Sequence, residues 1–130
     1  MARDIIKVLY PSIEKSLSIS SVQIEKNTVT PSNGIEIQSV FSNKNNSLII
    51  IFENTASSDC VITFKAGDAY PNRVLGDLTV PIKQSSLLSV QIQDLARFEN
   101  QDKSIYIDFD SNFTGFIYAI AKSTELTPAM

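Results

Sequence analysis

The sequence has no histidine and no tryptophan, and its one cysteine is Cys60. A disulfide within the chain is therefore impossible, and the thiolate and imidazole ligands of a zinc site are missing. The side chain that most often acts as a general base near neutral pH is absent, so Cys60 has no imidazole to activate it. No G-x-S-x-G elbow and no strand–glycine–helix phosphate cradle occurs. These absences place an enzyme last among the function classes and lead us to expect no cofactor. Positive charge is also short. With 11 Lys+Arg against 14 Asp+Glu the formal net charge is -3, so no basic surplus exists to neutralise phosphates and no nucleic-acid partner is expected. No stretch approaches the ~18 apolar residues of a membrane span. The longest apolar run, Leu48 to Phe52, has the length of a buried strand. Near the start, the apolar run Ile5 to Tyr10 is broken by Lys7 and stopped by Pro11, too short for a secretory core. The expectation is a soluble protein made in the cytoplasm, with no membrane partner.

What is present is a repeating period of two. The 130 residues suit one domain, and 43% hydrophobic with 19% charged residues suits a folded one. Cys60, Ile62, Phe64 and Ala66 alternate with Val61, Thr63 and Lys65. Leu88, Val90 and Ile92 alternate with Ser89, Gln91 and Gln93, and Ile105, Ile107 and Phe109 with Ser104, Tyr106 and Asp108. Each pattern predicts a strand with one face in a core and one in water. Leu48 to Phe52 and Gly115 to Ala121 are apolar on both faces, which predicts central strands or a covered outer face. Asn54 to Asp59 reads as a hairpin connection into the Cys60 strand. Leu78 to Val80 reads as a short strand ended by Pro81, and Ile92 to Phe98 holds at most one helical turn. Strands at 8–12-residue spacing predict an all-β fold, an antiparallel β-sandwich of jelly-roll or Ig-like type.

The first 34 residues differ. Serines separate Ile13, Leu17, Ile19, Val22 and Ile24; Ser18 to Glu25 predicts a strand, and Ser12 to Leu17 is open between helix and loop. Pro31-Ser32-Asn33-Gly34 marks a break. Residues 1–34 are read as an extended N-terminal arm or a first strand, and residues 35–130 as the sandwich, within a single domain overall. An arm of this kind pairs with an edge strand or reaches a neighbour.

Three features bear on chemistry. Asp108-Phe109-Asp110-Ser111-Asn112 resembles the start of a calcium loop, but Phe113 and Ala119 stand where the loop needs Gly and Glu, so these acids read as solvated turn residues. Cys60 reads as a small apolar core residue. The Gly67–Gly76 loop holds Tyr70, Pro71, Asn72 and Arg73, and Tyr and Arg are common at contact surfaces.

From Asn45 to Ala121 the order of segments is distinctive. It runs N-S-L-I-I-I-F-E-N-T, V-I-T-F-K-A-G-D, L-G-D-L-T-V-P-I, then Leu95-Ala96-Arg97-Phe98, I-Y-I-D-F-D, and a final apolar strand. This resembles a family of small tailed-bacteriophage virion proteins that decorate or stabilise the head. Where such proteins usually carry P-A-G after the T-V strand, this chain has Pro81-Ile82-Lys83-Gln84. The resemblance implies a non-enzymatic structural protein on a capsid exterior. Its implied partner is the major capsid protein or another virion protein, with homo-oligomerisation to a trimer possible. Symmetric positions would multiply weak contacts by avidity. The expected partner-binding residues are Arg3, Ile5, Ile6, Val8 and Tyr10 in the arm, and Tyr70 and Arg73 in the loop. On that reading, deleting residues 2–11 abolishes attachment and leaves the fold intact. The rival readings are a tail or neck component, or a carbohydrate-binding sandwich module at the virion surface. The second lacks an exposed tryptophan platform.

Overall fold

The computed structural model describes residues 3–6, 8–9, 12–14, 19–21, 23–38, 47–68, 74–92 and 95–122. Its strands are β1 (Asp4–Ile6), β2 (Ser12–Glu14), β3 (Ile19–Ser21), β4 (Asn27–Thr28), β5 (Ile35–Ile37) and β6 (Ser47–Asn54), followed by β7 (Cys60–Phe64), β8 (Leu78–Ile82), β9 (Ser86–Ile92), β10 (Ile105–Phe109) and β11 (Gly115–Lys122). A five-stranded sheet has the order β1-β5-β10-β7-β8, and a four-stranded sheet the order β4-β11-β6-β9. Strands β2 and β3 pair only with each other, antiparallel, among the described residues. The all-β sandwich expected from the alternation is what forms.

The pairing decides which sandwich it is. Strand β4 pairs with β11, β5 with β10, β6 with β9 and β7 with β8, all antiparallel. The chain runs out through β4–β7 and returns through β8–β11, each strand meeting its counterpart across the connection between β7 and β8. A long hairpin rolled so that its members fall into two sheets is the jelly roll.

Two local expectations are corrected. Asn54 to Asp59 does not close a hairpin, because β6 and β7 lie in opposite sheets. Both edges of β6 are already taken, by β11 and β9, so β7 has no edge to join. The segment crosses between the sheets instead, held by the buried Asn54 amide. Its Nδ2 donates to the carbonyls of Ser58 and Lys83, both at 3.2 Å, and its Oδ1 accepts from the Ala56 N–H at 3.0 Å. Pro81 does not end the strand: β8 continues through it to Ile82. In this sheet β8 is an edge strand, so the missing proline N–H removes no rung of the ladder.

Of the Ser12–Leu17 segment left open between helix and loop, Ser12–Glu14 is strand β2, and residues 15–17 lie outside the described residues. The Ile19–Ser21 strand is shorter than the alternation suggested. The helical turn expected before Phe98 is a 3-10 turn at Leu95–Arg97.

The core lies between the sheets, where the inward rows meet. Ile35, Ile37, Ile62, Phe64, Ile105 and Ile107 come from one sheet, and Leu48, Ile50, Phe52, Ile117 and Ala119 from the other; all are buried. The central-strand prediction for β6 and β11 holds, since they occupy the middle of the four-stranded sheet. Cys60 is a buried core residue, as its alternation indicated.

Candidate functional site

The arm is built into the sandwich. Strand β1 adds to the edge of β5, in parallel, with Asp4, Ile5 and Ile6 opposite Ile35, Glu36 and Ile37. The Asp4 carboxylate accepts from Asn33 Nδ2 at 3.0 Å and from the Thr30 N–H at 3.2 Å, which ties it to the turn at Pro31–Gly34. Farther on, the Leu9 N–H donates to the Ala119 carbonyl of β11 at 2.9 Å. The arm therefore touches both sheets.

Of the residues expected to bind a partner, three work inside the molecule. Ile6 is 2% exposed and belongs to the core, and Val8 packs against that core. Arg3 Nη1 donates to Asp108 Oδ1 at 2.6 Å and to the Ile107 carbonyl at 3.3 Å, and its guanidinium lies 4.5 Å from the Tyr106 ring centroid. Gly34 leaves room for this, since a Cβ there would lie 2.5 Å from Arg3 Nη1. Ile5, on the opposite side of β1 from Ile6, is 59% exposed and free to meet a partner. Tyr10, Tyr70 and Arg73 lie outside the described residues.

The contacts of this segment give the deletion of residues 2–11 a cost in stability. Their loss uncovers the slot of Ile6, breaks the Arg3–Asp108 pair and frees the β5 edge. Burying an isoleucine is worth about 1.5–3 kcal/mol. We expect the truncated chain to melt several degrees below the intact one in a circular-dichroism melt; an unchanged midpoint would show that β1 contributes nothing to the core.

The outer faces of the two sheets differ in character. On the five-stranded sheet, charges form a chain across β10 and β7. Arg3 meets Asp108, and Lys65 lies 4.0 Å from Asp108 and 2.8 Å from Asp77. The hydrogen bond from Lys65, together with the Ala66 N–H, holds the Asp77 carboxyl below its ordinary range. Asp108 is thus paired with Arg3 and Lys65, and Asp110 caps its own turn by accepting from the Asn112 N–H at 3.0 Å.

The four-stranded sheet turns an apolar face outward. The register sets Tyr118 beside Ile51 and Ile120 beside Ile49. Phe116 lies in the same outward row of β11, opposite Glu53. These five apolar side chains, Ile49, Ile51, Phe116, Tyr118 and Ile120, are half-buried, and Leu87 at the β9 edge is exposed. Polar groups rim the patch. Lys26 Nζ sits 4.4 Å from the Phe116 ring centroid, and Tyr118 Oη donates to Glu53 Oε1 at 3.2 Å. Burial, then the Glu53 charge, pushes the Tyr118 hydroxyl above its usual range. That both strands are apolar on both faces is legible in the sequence. That their outward rows stand side by side is a matter of register, which no local pattern carries.

Nucleophilic chemistry finds no support at the cysteine. Burial, then the nearby Asp110 charge, raises the Cys60 thiol above its ordinary range, which disfavours the thiolate. Its Sγ contacts the Ser58 carbonyl at 3.6 Å. No matching family model, curated protein or solved structure is found for this chain.

Proposed function

We propose that this chain is a non-enzymatic virion structural protein that decorates or stabilises the exterior of a phage capsid. The observation that carries this reading is the apolar outer face of β6 and β11. A jelly roll needs one buried face per sheet, and this chain supplies apolar side chains for a second. Contiguous apolar surface of that kind, rimmed by polar groups, marks protein–protein contact. The segment order from Asn45 to Ala121 supplies the capsid context by resemblance, and the jelly roll is an architecture that viral capsid proteins use among others. The partner on this reading is the major capsid protein or another virion protein, reached through Ile49, Ile51, Phe116, Tyr118 and Ile120, with Ile5 at the arm as a second contact.

The test is co-sedimentation of the purified protein with empty shells assembled from the capsid protein of the same phage. Saturable binding at a fixed ratio to capsid subunits is expected. Ile51→Glu should weaken it at least tenfold while keeping a cooperative thermal transition. Protein that stays in the supernatant at every shell concentration would overturn the reading.

A further inference from the structure

The sandwich gapes along one side. Among the described residues, strands β8 and β9 are the free edges of their respective sheets, and the turn at Lys83–Ser85 joins them. By register Leu78 and Val80 share the inward row with Phe64 and Ile62, and Val90 shares the inward row with Ile50. Inward positions of a sandwich are normally covered by the facing sheet. Here Ile82, beside the turn, is 3% exposed, whereas Leu78 at the far end of the same strand is 42% exposed, and Val80 and Val90 are half-covered. The gap opens a crevice of ≈ 200 Å³ floored by Phe64 and Phe98. Val74 and Leu75, just before β8, are exposed as well.

Arg97, from the 3-10 turn, lines this crevice. Its Nη2 donates to the Gly76 carbonyl at 3.4 Å, and its guanidinium lies 5.3 Å from the Phe98 ring centroid. Its Nε is buried and has no hydrogen-bond partner. A buried guanidinium N–H left without an acceptor beside apolar side chains is costly, and a carboxylate is the group that satisfies it best.

We propose that the β8–β9 crevice is the docking groove for an extended segment of another virion protein, apolar at alternate positions and carrying one carboxylate that accepts from Arg97. Three observations select this occupant. Two strand edges with no partner among the described residues favour an extended backbone, as in strand addition. The inward row of Leu78, Val80 and Val90, exposed at Leu78 and half-covered at the two valines, takes side chains at a spacing of two. Arg97 supplies the charge complement. The volume holds one large anchor side chain, the usual size of a binding hot spot.

This inference deepens the structural-protein reading and rests on it for the identity of the partner, but its test reads the groove directly. The probe is an acetylated, amidated heptapeptide with valine at alternate positions and one glutamate, compared with its glutamine counterpart by amide-resonance titration of the full chain. Saturable shifts at Val80, Val90 and Arg97 are expected, with the glutamate peptide binding about tenfold tighter or more. Arg97→Gln should erase that preference, and Leu78→Glu, at a position already exposed, should weaken both peptides. Equal affinity for the two peptides, or shifts confined to the outer face of β6 and β11, would overturn the proposal. Concentration-dependent self-association abolished by Leu78→Glu would overturn it too, in favour of a second copy as the occupant. Failure of shell co-sedimentation with the peptide preference intact would sink the capsid reading and spare the groove.

Discussion

Gly115→Ala is expected to lower stability by about 3 kcal/mol or more, at the upper end of what single substitutions do. Gly115 opens β11 opposite Asn54 and has a φ of +149°, a region in which L side chains are strained. The larger problem is space. A Cβ built there falls on the carbonyl oxygen of Glu53 and lies 3.3 Å from the Thr55 N–H. Both are backbone atoms, one in the last residues of β6 and one just beyond it, so relief requires β6 and β11 to separate at the centre of the four-stranded sheet. The same residue also anchors β4, since the Val29 N–H donates to its carbonyl at 3.3 Å. Gly76→Ala is the control: it has φ +78° but nothing within 4 Å of the added Cβ. Its cost is the backbone strain alone, about 1 kcal/mol. Urea unfolding of the two variants checks this. If both fall by the same amount, close approach at Gly115 is not what demands glycine.

Phe52→Ala is expected to cost about 3–5 kcal/mol, a large share of the roughly 5–15 kcal/mol that holds a typical domain together. Phe52 belongs to β6, and its ring meets partners from the other sheet, Phe64 at 6.1 Å and Phe109 at 6.0 Å between centroids, in edge-on geometry. Those rings continue the contact, Phe64 to Phe98 at 5.8 Å and Phe109 to Phe113 at 4.8 Å. Phe52 therefore links the two sheets at the middle of one aromatic chain, and its removal leaves a cavity bounded by rigid strands that cannot collapse far. Phe116→Ala, the same substitution on the half-buried outer face, should cost about 1–2 kcal/mol less than that range, because water already reaches part of its ring. A guanidinium unfolding midpoint for Phe52→Ala within error of the parent chain would refute the packing account.

The contrast between these two phenylalanines shows what could be read in advance. Both sit in runs apolar on every position, so alternation could not say which faced the core. The register decides it: Phe52 opposite Ile117 and Leu88 turns inward, and Phe116 opposite Glu53 and Thr28 turns outward. Arg97 shows the same limit at the candidate groove. The sequence shows an R-F pair at the end of a single expected helical turn. Only the tertiary placement brings that arginine beside β8 and β9, strands that lie five or more residues away along the chain. Arg3 errs in the opposite direction. Its place in the N-terminal arm suggested a partner contact, and the fold gave it Asp108, 105 residues away.

Local chemistry in the sequence determined the class of fold. Strand positions follow from side chains alternating every second residue, a period that backbone geometry imposes on each strand separately. The missing histidine and the lone Cys60 removed the commonest catalytic routes for the same kind of reason, since a residue type that is absent cannot act. Tertiary structure alone decided which strands became partners. The pairing of β4 with β11, of β5 with β10 and of β6 with β9 joins segments remote in sequence, and it is selected by the burial of whole faces at once. That selection made the sandwich a jelly roll and drew the arm into its core at Ile6. It also left two surfaces unfinished, the apolar face of β6 and β11 and the open seam between β8 and β9.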